Sequence, residues 1–577
     1  GIGGGGQSNP QVLLLQNGIP MTTLFNGDKG VTWTGVPLEN VARVEVIRGP
    51  GSALYGADAY AGVINVITKT AADTSGTEVG LRAGSFNTWS AWVQHGGRIG
   101  TAEMATYLRV GGTDGIKETV TTKSSPGPGP VSTDYDAVDA SLNISSDKWR
   151  FRASYKLRGN QGYGAGISTA LDPTSKAKTE NFTGDVSWTD PRLSRDWGAG
   201  ATASILHYVL TYPDNVVLLP PSGTWPTGQI GGPNQWERHV RLSAFLTYSG
   251  FSGHSVRLGL GRDDLDMYKT RTIRNYIFNA NGSTTYTGPS VTDYTEIQPH
   301  IRPQQRMVSH AYAQDEWRFA RDWTLTAGVR RDFYSDFGGT TNPRFALVWE
   351  AAYDLTAKLL YGRAFRAPSF NEQYGINPVA NGNPALRPET IATWESALSW
   401  QAIKNTQINL NLFRYDTRDI IRLVGTAFAN TGTQHGTGME AEVVWDAGRT
   451  LRLTGNYAYQ KSINEATGTD AGYAPHYQLY ARADWRLSHG WLLGGQVNRV
   501  ADRRRTTGDT RRQIDDYTTV DLTLRSDRGR KDWNFAVSVR NLFDADAREP
   551  TLAPGTAIPN DLPMAPRAIY LQTTHAL

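Results

Sequence analysis

The sequence of 577 residues contains no cysteine. This absence excludes disulfide frameworks, thiolate metal sites and cysteine nucleophiles. The sequence also lacks long apolar runs, since stretches such as Val12 to Leu15 fall far short of the ~20 residues that a membrane-spanning helix needs. Hydrophobic residues make up only 39% of the chain, which is little for a large soluble core. The composition therefore excludes a helical membrane protein and disfavours a large soluble one.

Neither sign of charge dominates, since 58 Lys and Arg stand against 54 Asp and Glu. No basic helix or nucleic-acid module accompanies the small excess, so we expect no nucleic-acid partner. Three enzyme signatures are missing: a Gly-x-Ser-x-Gly elbow, a His-Glu-x-x-His motif and a Walker loop. With 10 His, 6 Met and no Cys, a dedicated copper or zinc importer is poorly supported. We therefore expect no enzyme, no cofactor and no resident metal.

Glycine is abundant, with 61 residues, and from about Glu78 onward the chain repeats a pattern of period two. In the segment 150–158, apolar residues at the odd positions alternate with Arg, Ser and Lys at the even positions. The segment 519–525 repeats the pattern. Because successive side chains of a strand point to opposite faces, each such segment has one apolar and one polar face.

Roughly 22 alternating segments follow one another, many of them 10 to 15 residues long. A tilted strand needs ~9–11 residues to cross a bilayer, whereas soluble strands average ~5–6. In lipid every backbone group must be paired internally, so such a sheet must close. Short joins near Asp147 and Gly490 alternate with long polar loops such as 269–305 and 367–388, as in outer-membrane barrels. We therefore predict an all-β membrane protein whose residues 73–577 form a 22-stranded antiparallel transmembrane β-barrel.

The segment before Glu78 has a different pattern. Its largely apolar stretches Gln11 to Leu15, Ala42 to Ile47 and Gly62 to Ile67 predict three strands, with one helical turn near Ser52. An α+β unit of about 70 residues is small for independent stability. A lumen of about 22 strands is too wide for side chains to fill, and transporters of that size plug it. We predict that residues 1–72 form a plug domain in the lumen.

The stretch RVEVIRGPGSALYGADAYAGVINVITK, residues 43–69, closely resembles the plug domain of TonB-dependent outer-membrane receptors of the siderophore-receptor type. Three barrel segments are also similar to that family, at 361–374, 383–400 and 539–550. The resemblance implies energised import of a scarce nutrient across the outer membrane of a Gram-negative bacterium. We expect a ferric siderophore. The alternatives are haem or cobalamin within the same family and, from another class, a passive porin or adhesin barrel, although porins lack the plug motif.

The resemblance also implies partners. In the family, an inner-membrane TonB–ExbB–ExbD complex pulls on an N-terminal segment and shifts the plug. Relatives carry roughly half a plug before a stretch like Gly3 to Gly6, so we expect this sequence to begin inside the plug and not to include the energy-coupling segment. We further expect a monomer surrounded by outer-membrane lipid and lipopolysaccharide.

By the same resemblance, plug arginines pair with inward-facing barrel glutamates. Arg43 and Arg48 lie on a predicted plug strand, and Glu395 and Glu440 occupy matching positions in the barrel. Removing one partner of a pair in a partly dry lumen leaves an unpaired charge, so such pairs can hold a plug closed. The alternative is that each of the four is an independently solvated lumen charge.

Ligand contacts are expected from the plug apex and the long loops. By resemblance, the predicted apical residues are Gly6, Gln7, Phe25 and Asn26, and the predicted loop residues are Arg271, Arg274, Tyr276 and Phe278. Ferric catecholates are flat, aromatic and anionic, so rings beside guanidinium groups suit them. The same mixture also arises where Tyr and Trp line a membrane interface.

Three further motifs bear on the ligand. Residues 365–368 (FRAP) and 383–386 (NPAL) resemble two boxes of haem receptors, but no histidine lies between them, and none lies in the plug before His95, which argues against haem. Asp263 to Asp266 resembles the acidic calcium-binding loop of cobalamin receptors only weakly. The basic cluster 503–505 with 511–512 could steer an anionic ligand, but a solvated loop or a contact with lipopolysaccharide phosphates is the favoured interpretation.

Overall fold

A computed structural model describes residues 11–29, 35–166, 169–172, 174–213, 216–378, 380–488, 490–526, 533–551 and 558–577. Within these residues, 22 long strands form one closed barrel in which neighbours in sequence pair in antiparallel fashion. The last strand closes on the first, with Tyr570 opposite Gly84 and Ala576 opposite Glu78. No helix in the described ranges is long and apolar enough to cross a membrane. The predicted fold class is confirmed.

The plug sheet comprises β1 to β4 and the barrel comprises β5 to β26, with two short helices, α1 in the plug and α2 in a barrel loop. The plug elements are β1 (Val12–Gln16), β2 (Ile19–Pro20), a 3-10 turn (Leu38–Asn40), β3 (Val41–Arg48), α1 (Ser52–Tyr55) and β4 (Gly62–Thr68). The first eleven barrel strands are β5 (Gly76–Gly84), β6 (Thr88–Ile99), β7 (Ala102–Thr113), β8 (Tyr135–Ser146), β9 (Trp149–Gln161), β10 (Ala177–Asp190), β11 (Trp197–Thr211), β12 (Gln229–Tyr248), β13 (His254–Arg274), β14 (Gln304–Ala320) and β15 (Trp323–Tyr334). The others are β16 (Gly338–Ala352), β17 (Leu355–Arg366), β18 (Glu389–Ile403), β19 (Thr406–Arg418), β20 (Gln434–Asp446), β21 (Leu451–Asn464), β22 (Pro475–Arg486), β23 (Trp491–Arg503), β24 (Tyr517–Ser526), β25 (Asn534–Arg540) and β26 (Ala568–Ala576), and α2 (Phe370–Tyr374) lies between β17 and β18.

The loops carry short strands of their own. Four two-stranded ribbons pair Thr119–Val120 with Gly129–Pro130, Tyr276–Phe278 with Thr284–Tyr286, Ile421–Val424 with Ala427–Asn430, and Arg548–Glu549 with Leu562–Pro563. The strands Val217–Leu219, Thr292–Asp293 and Thr469–Asp470 extend the barrel sheet at its rim. All of these lie at the end of the barrel where the connections are long. Short turns join the strands at the other end, and this asymmetry identifies the long-loop end as extracellular.

The outer wall shows where the membrane lies. Apolar side chains such as Leu258 and Leu260 point outward at alternate positions and are exposed. Near the short turns, the described residues include eight exposed tryptophans spread around the barrel: Trp149, Trp197, Trp317, Trp349, Trp400, Trp445, Trp485 and Trp533. Aromatic girdles of this kind mark a membrane–water interface. The inner wall is polar and holds ion pairs such as Arg158 to Asp139 at 2.9 Å.

The plug is a four-stranded sheet with the order β2-β1-β4-β3. β1 and β2 form a hairpin through Asn17 and Gly18, both of which have positive φ, as a tight two-residue turn requires. The predicted strands and the helical turn at Ser52 are confirmed, with ends shifted by at most one residue. β4 ends at Thr68 and the first barrel strand begins at Gly76. The boundary at residue 72 lies in this connection and stays a prediction.

Candidate functional site: the plug apex and the loops above it

The extracellular tip of the plug is a turn at Leu24 and Phe25, and the barrel binds all four backbone polar groups of these two residues. The N–H groups donate to the carboxylate of Glu237 on β12, at 2.8 Å from Leu24 and 3.1 Å from Phe25. The carbonyls accept from the backbone of α2, from Phe370 at 2.9 Å and Asn371 at 2.7 Å. We call these four bonds the apical clamp. It connects the plug to the barrel wall on one side and to the loop 367–388 on the other.

The sequence of the tip explains its turn. The side-chain oxygen of Asn26 accepts from the Thr23 hydroxyl and from the Asp28 N–H, each at 3.0 Å. Asn and Asp commonly form such turns because their short side chains replace a backbone acceptor. Asn26, a predicted ligand contact, therefore shapes the turn. Phe25 packs partly buried at the edge of an apolar cluster that includes Leu24 and Phe370.

Glu237 is completely buried, and its carboxylate also lies 3.1 Å from Nε2 of His239, which is equally buried. A buried carboxylate needs several donors to offset its lost hydration. Here the donors are two plug amides and an imidazole. The plug tip therefore completes the hydrogen bonding of a barrel residue, so withdrawing the tip leaves Glu237 under-solvated.

The loop 367–388 is anchored by two buried arginines. Arg366 donates to Glu372 at 2.9 Å and to Glu389 at 2.8 Å, which links α2 to the start of β18. Ser369 and Glu372 form a capping box at the start of α2. Arg306 on β14 donates to the Pro368 carbonyl and to the Gln373 side chain. These contacts fix the position of the two backbone N–H groups that α2 gives to the clamp.

His300, in the loop 275–303, joins the same cluster. Its ring lies 5.6 Å from the ring of Phe25, and its carbonyl accepts from the Ile376 N–H at 2.7 Å. Burial and then the nearby positive charge of Arg274 lower the pKa of His300 to about 4. The imidazole is therefore neutral at physiological pH. Burial likewise lowers the pKa of Lys29, four residues beyond Phe25 in the plug.

Three of the four predicted loop residues come together. The guanidinium of Arg274 lies 5.2 Å from the ring of Tyr276 and 4.9 Å from that of Phe278, and it donates to the Gln298 side chain at 2.8 Å. Arg271 is placed apart, where it pairs with Asp293 at 2.9 Å and is half exposed. Gly6 and Gln7 lie outside the described residues.

Among the predicted latch residues, Arg48 reaches the barrel wall. It donates to Glu440 on β20 at 2.7 Å across the lumen. Arg43 instead pairs with Glu45 of its own strand at 2.7 Å. Glu395 lies against Gly49, the plug residue that follows Arg48. A Cβ built on Gly49 would be 2.0 Å from Oε1 of Glu395. Gly49 has φ +73, so both its conformation and its contact require glycine.

A polar cavity of about 500 Å³ lies beside Arg48, between the plug and the barrel wall. Its lining includes Glu395, Glu440 and Glu442 together with several asparagines. The Arg48–Glu440 pair therefore borders a solvent-accessible space, and neither partner is buried. It is an exposed ion pair of the type that contributes little stability.

Most arginines of the basic cluster 503–505 and 511–512 are bonded to neighbouring groups. Arg505 pairs with Asp561 at 2.6 Å and Arg511 with Asp509 at 2.7 Å. Arg503 is buried and donates to the Arg548 and Asp515 carbonyls. These bonds tie the loop to the connection 541–567. Most of the cluster is therefore structural, although Arg512 remains exposed beside Asp515.

Sequence reasoning missed Glu237, His300 and Arg306. Glu237 and His239 do stand at alternate positions of a strand, which marks them as lumen-facing. Nothing local indicates which of the many lumen-facing charges meets the plug tip. Haem is disfavoured by the sequence because histidine is absent from the plug and from the stretch between the two boxes, yet the structure brings His300 against Phe25 from a different loop.

Comparison with known proteins follows the same division of the chain. Residues 117–542 match the family described as TonB dependent receptor-like, beta-barrel, and residues 1–63 match the TonB-dependent Receptor Plug Domain. A curated relative, the vitamin B12 transporter BtuB of Vibrio cholerae, is 23% identical over 594 aligned positions, which cover 98% of this chain and 84% of the transporter.

Solved structures resemble the whole chain. A mutant of the ferric enterobactin receptor PfeA of Pseudomonas aeruginosa superposes with a TM-score of 0.78 at 18% identity, covering 99% of this chain and 91% of the receptor. The siderophore receptor PirA of Acinetobacter baumannii gives 0.77 at 17% identity, with coverages of 99% and 91%. At such low identities this likeness shows the fold alone. The barrel match spans well over half of the chain, however, and the chain therefore belongs to the TonB-dependent receptors, the plugged β-barrel transporters of the outer membrane.

Proposed function

We propose that this receptor imports a ferric siderophore by capturing it in the extracellular loops and releasing it through energy-coupled displacement of the plug. The observation that carries the proposal is the apical clamp. It makes Leu24 and Phe25 the point at which the loop 367–388, the barrel wall and the plug are joined by hydrogen bonds. A ligand that moves α2 changes the bonding of the plug tip.

The proposed sequence of events has two steps. The ligand first contacts the loops 275–303 and 367–388, which meet at His300 and Ile376. Movement of α2 then removes the two N–H donors that bind the plug carbonyls, and of the four clamp bonds only the two to Glu237 remain. A pull from the periplasmic side acts next on a plug whose extracellular end has lost half of its clamp. No covalent step is needed.

The chemistry of the loops supports an anionic aromatic ligand. Arg274 faces three rings, those of Tyr276, Phe278 and Tyr294, at 4.9 to 5.2 Å. A guanidinium over an aromatic face gains about 0.5–2 kcal/mol and can exchange one ring for another. Arg274 is only 3% exposed, so a catecholate reaches it by displacing one of the loop rings, and the catecholate brings its own negative charge. The resemblance to PfeA and PirA, named as siderophore receptors, agrees with this class.

Cobalamin is the second candidate, because the vitamin B12 transporter of Vibrio cholerae aligns with nearly the whole chain. Haem is the third, since His300 lies at the plug tip and its pKa of about 4 keeps the imidazole neutral, as an iron ligand must be. Cobalamin fits the Arg274 cage poorly, because its corrin ring is not aromatic and most of its side chains are neutral amides. Haem is flat, aromatic and anionic, so the cage suits it as it suits a catecholate, and the titration below distinguishes the two.

The route past the plug is proposed to follow the cavity beside Arg48. Breaking the exposed Arg48–Glu440 pair joins this space to the volume that the plug vacates. In this proposal Glu395 sets the position of Gly49 and keeps β3 close to the wall. The plug comprises residues 1–72 and the barrel residues 73–577. The proposed partners are the TonB–ExbB–ExbD complex and the surrounding lipid and lipopolysaccharide, and the receptor acts as a monomer.

The test is a titration of the refolded receptor with ferric catecholates, ferric hydroxamates, haem and cobalamin, followed by quenching of its 17 tryptophans. We expect saturable quenching by a ferric catecholate and none by haem or cobalamin. The matched variants are Arg274→Gln, which should weaken catecholate binding, and Arg271→Gln, which should not. Quenching by haem or cobalamin alone would overturn the ligand while leaving the receptor family intact.

A further inference from the structure

A small cavity lies between the plug and the lumen wall formed by strands β8 to β10. Its volume is about 40 Å³, and one water molecule needs about 10–15 Å³ of such space. The plug lines the cavity with Met21 and Asn40, and the barrel lines it with Lys156, Asn181 and Thr183. We call this space the wall cavity. It is large enough for a small ion and closes only when the plug is docked.

Strand register places the polar groups of the wall in one row. Lys156 pairs with Asp139 on β8 and with Asn181 on β10. Asn181 pairs in turn with Tyr208 of β11, which is opposite Glu237 of the apical clamp. Directly opposed side chains on neighbouring strands are about 4.5–5.5 Å apart at their Cβ atoms. Lys156 and Asn181 are therefore adjacent, and their row leads to the residue that holds the plug tip.

The charges around the wall cavity do not balance. Among the described residues that line it, Asp139 is the one carboxylate. Arg158 donates to both oxygens of Asp139, at 2.9 and 3.1 Å, and Arg109 lies 3.6 Å from the same carboxylate. Lys156 adds a third cation to this group, so three positive charges surround one negative charge.

Two neighbouring ion pairs leave this excess unchanged. Arg152 is bonded to Asp185 at 2.9 Å, below the wall cavity on the same two strands as Lys156 and Asn181. Arg82 lies 4.0 Å from Glu39, which precedes Asn40 in the plug. Each of these carboxylates has its own arginine, so neither offsets the charge of the cluster at Asp139.

The side chain of Asn181 lacks hydrogen bonds although it is buried. Asn181 is 5% exposed, and within the part of the chain that the structure describes neither its Nδ2 nor its Oδ1 has a partner. The hydroxyl of Tyr107, another buried residue of the lining, has no partner among the described residues either. Buried polar groups are costly unless they are hydrogen-bonded. The wall cavity therefore suits an occupant that bonds to these groups.

We propose that the wall cavity binds a small monovalent inorganic anion, chloride under physiological conditions, which accepts hydrogen bonds from the Lys156 ammonium and the Asn181 amide. A water molecule would bond to Asn181 but leave the excess positive charge unchanged, whereas an anion satisfies both requirements. The volume suits a single atom and not a tetrahedral oxyanion with its shell of oxygens. Because the plug forms one side of the cavity, the anion stabilises the docked plug. This site is independent of the imported ligand.

Bromide is the first probe, because its anomalous scattering locates it in a crystal of the refolded receptor. We expect an anomalous difference peak in the wall cavity, within hydrogen-bond distance of Lys156 and Asn181. The absence of a peak there, even at molar bromide, would overturn the site. A peak that appears only at molar bromide, without the chloride dependence described next, would mean an adventitious ion only and would also overturn it.

The second measurement is hydrogen–deuterium exchange of the peptide 35–42, which covers the wall cavity from the plug side. The two buffers are sodium chloride and sodium gluconate at equal ionic strength. A ligand that binds only the docked plug slows opening by the factor 1 + [L]/Kd, so we expect exchange about tenfold slower when chloride is at about ten times its Kd. Equal exchange in the two salts would overturn the proposal. Slowing by sulfate equal to that by chloride would overturn the assignment to a small monovalent ion.

Asn181→Asp is the decisive variant, because it keeps the size of the side chain and supplies a fixed carboxylate beside Lys156. The bromide peak and the chloride dependence should both disappear, while the peptide 35–42 stays protected in gluconate. Asn498→Asp makes the same change on β23, far from the wall cavity, and should keep the chloride dependence.

Heat-modifiable mobility in electrophoresis verifies that each barrel has folded. Lys156→Gln, which removes the positive charge, is the second variant and should also abolish the bromide peak and the chloride dependence. Chloride dependence that persists in either variant would overturn the site. Siderophore quenching should be the same in chloride and in gluconate, so a failure of the anion site is distinct from a failure of the proposed transport.

Discussion

Replacing Glu237 by glutamine tests whether the apical clamp holds the plug tip. Glu237→Gln keeps the size of the side chain but leaves one acceptor oxygen where two now serve Leu24 at 2.8 Å and Phe25 at 3.1 Å. One plug N–H then faces an amide NH₂ and loses its partner. A hydrogen bond to a charged group contributes about 1.5–3 kcal/mol, and an unpaired buried N–H costs about 1–3 kcal/mol.

These terms overlap, so we expect the docking of the plug tip to weaken by about 2–4 kcal/mol. Since 1.4 kcal/mol corresponds to a factor of ten, local opening should become about 30- to 700-fold more frequent. Hydrogen–deuterium exchange of the peptide 21–29, measured by mass spectrometry in detergent, reports this opening because amide exchange follows the local unfolding free energy. The absence of cysteine also permits single-site thiol labels as a second readout.

Glu440→Gln is the matched control, because it makes the same chemical change on the lumen wall but touches Arg48 and not the tip. Its exchange in the peptide 21–29 should equal that of the unmodified receptor. Unchanged protection of the tip in Glu237→Gln, with the barrel folded, would refute the clamp. Equal acceleration in both variants would show instead that the plug responds to any lost lumen charge.

Three further predictions concern the latch and the loops. Gly49→Ala should destabilise the docking of the plug against the barrel wall by roughly 2–4 kcal/mol, because a Cβ at φ +73 is strained and meets Glu395 at 2.0 Å. In a thermal melt, adding Glu395→Ala should recover only the stability lost to the clash, and full recovery would contradict the backbone strain at Gly49. A double-mutant cycle of Arg48→Ala and Glu440→Ala should give a coupling free energy of about 0.5–1 kcal/mol, since the two side chains are 59% and 34% exposed. A coupling above about 2 kcal/mol would contradict the view that this ion pair is solvated and weak. The packing of the loop 275–303 should be unaffected above pH 6.5 and should weaken by about 2–3 kcal/mol as the pH falls towards 4, because His300 takes up a proton more readily when the loop is open. Hydrogen–deuterium exchange of the peptide 294–301, corrected for intrinsic rates, should show this trend. The same trend in His300→Gln would exclude His300 as its source.

The candidate site was only partly predictable. Arg274, Tyr276 and Phe278 could be named together because they stand within five residues of one another, and in the structure they form one cage. Arg271 stands three residues before Arg274 on β13, and an odd separation in a strand places the two side chains on opposite faces. An irregularity in the pairing of Trp236 and Arg238 with β13 precedes both arginines and decides which of the two faces the lumen. One extra residue in a strand moves every following side chain to the other face, and the sequence does not reveal such a shift.

The architecture of this protein could be predicted from local residue patterns. Alternation of apolar and polar residues is a local property of each strand, and the need to pair every backbone group in lipid turns about 22 such strands into a closed barrel. The presence of a plug was predicted from the width of that barrel and from the motif at 43–69. The groups that meet in the lumen could be identified only from the three-dimensional arrangement of plug and wall. Leu24 and Glu237 are 213 residues apart, and Arg48 and Glu440 are 392 apart. Many lumen charges satisfy the same local pattern, and the position of the plug against the wall selects among them.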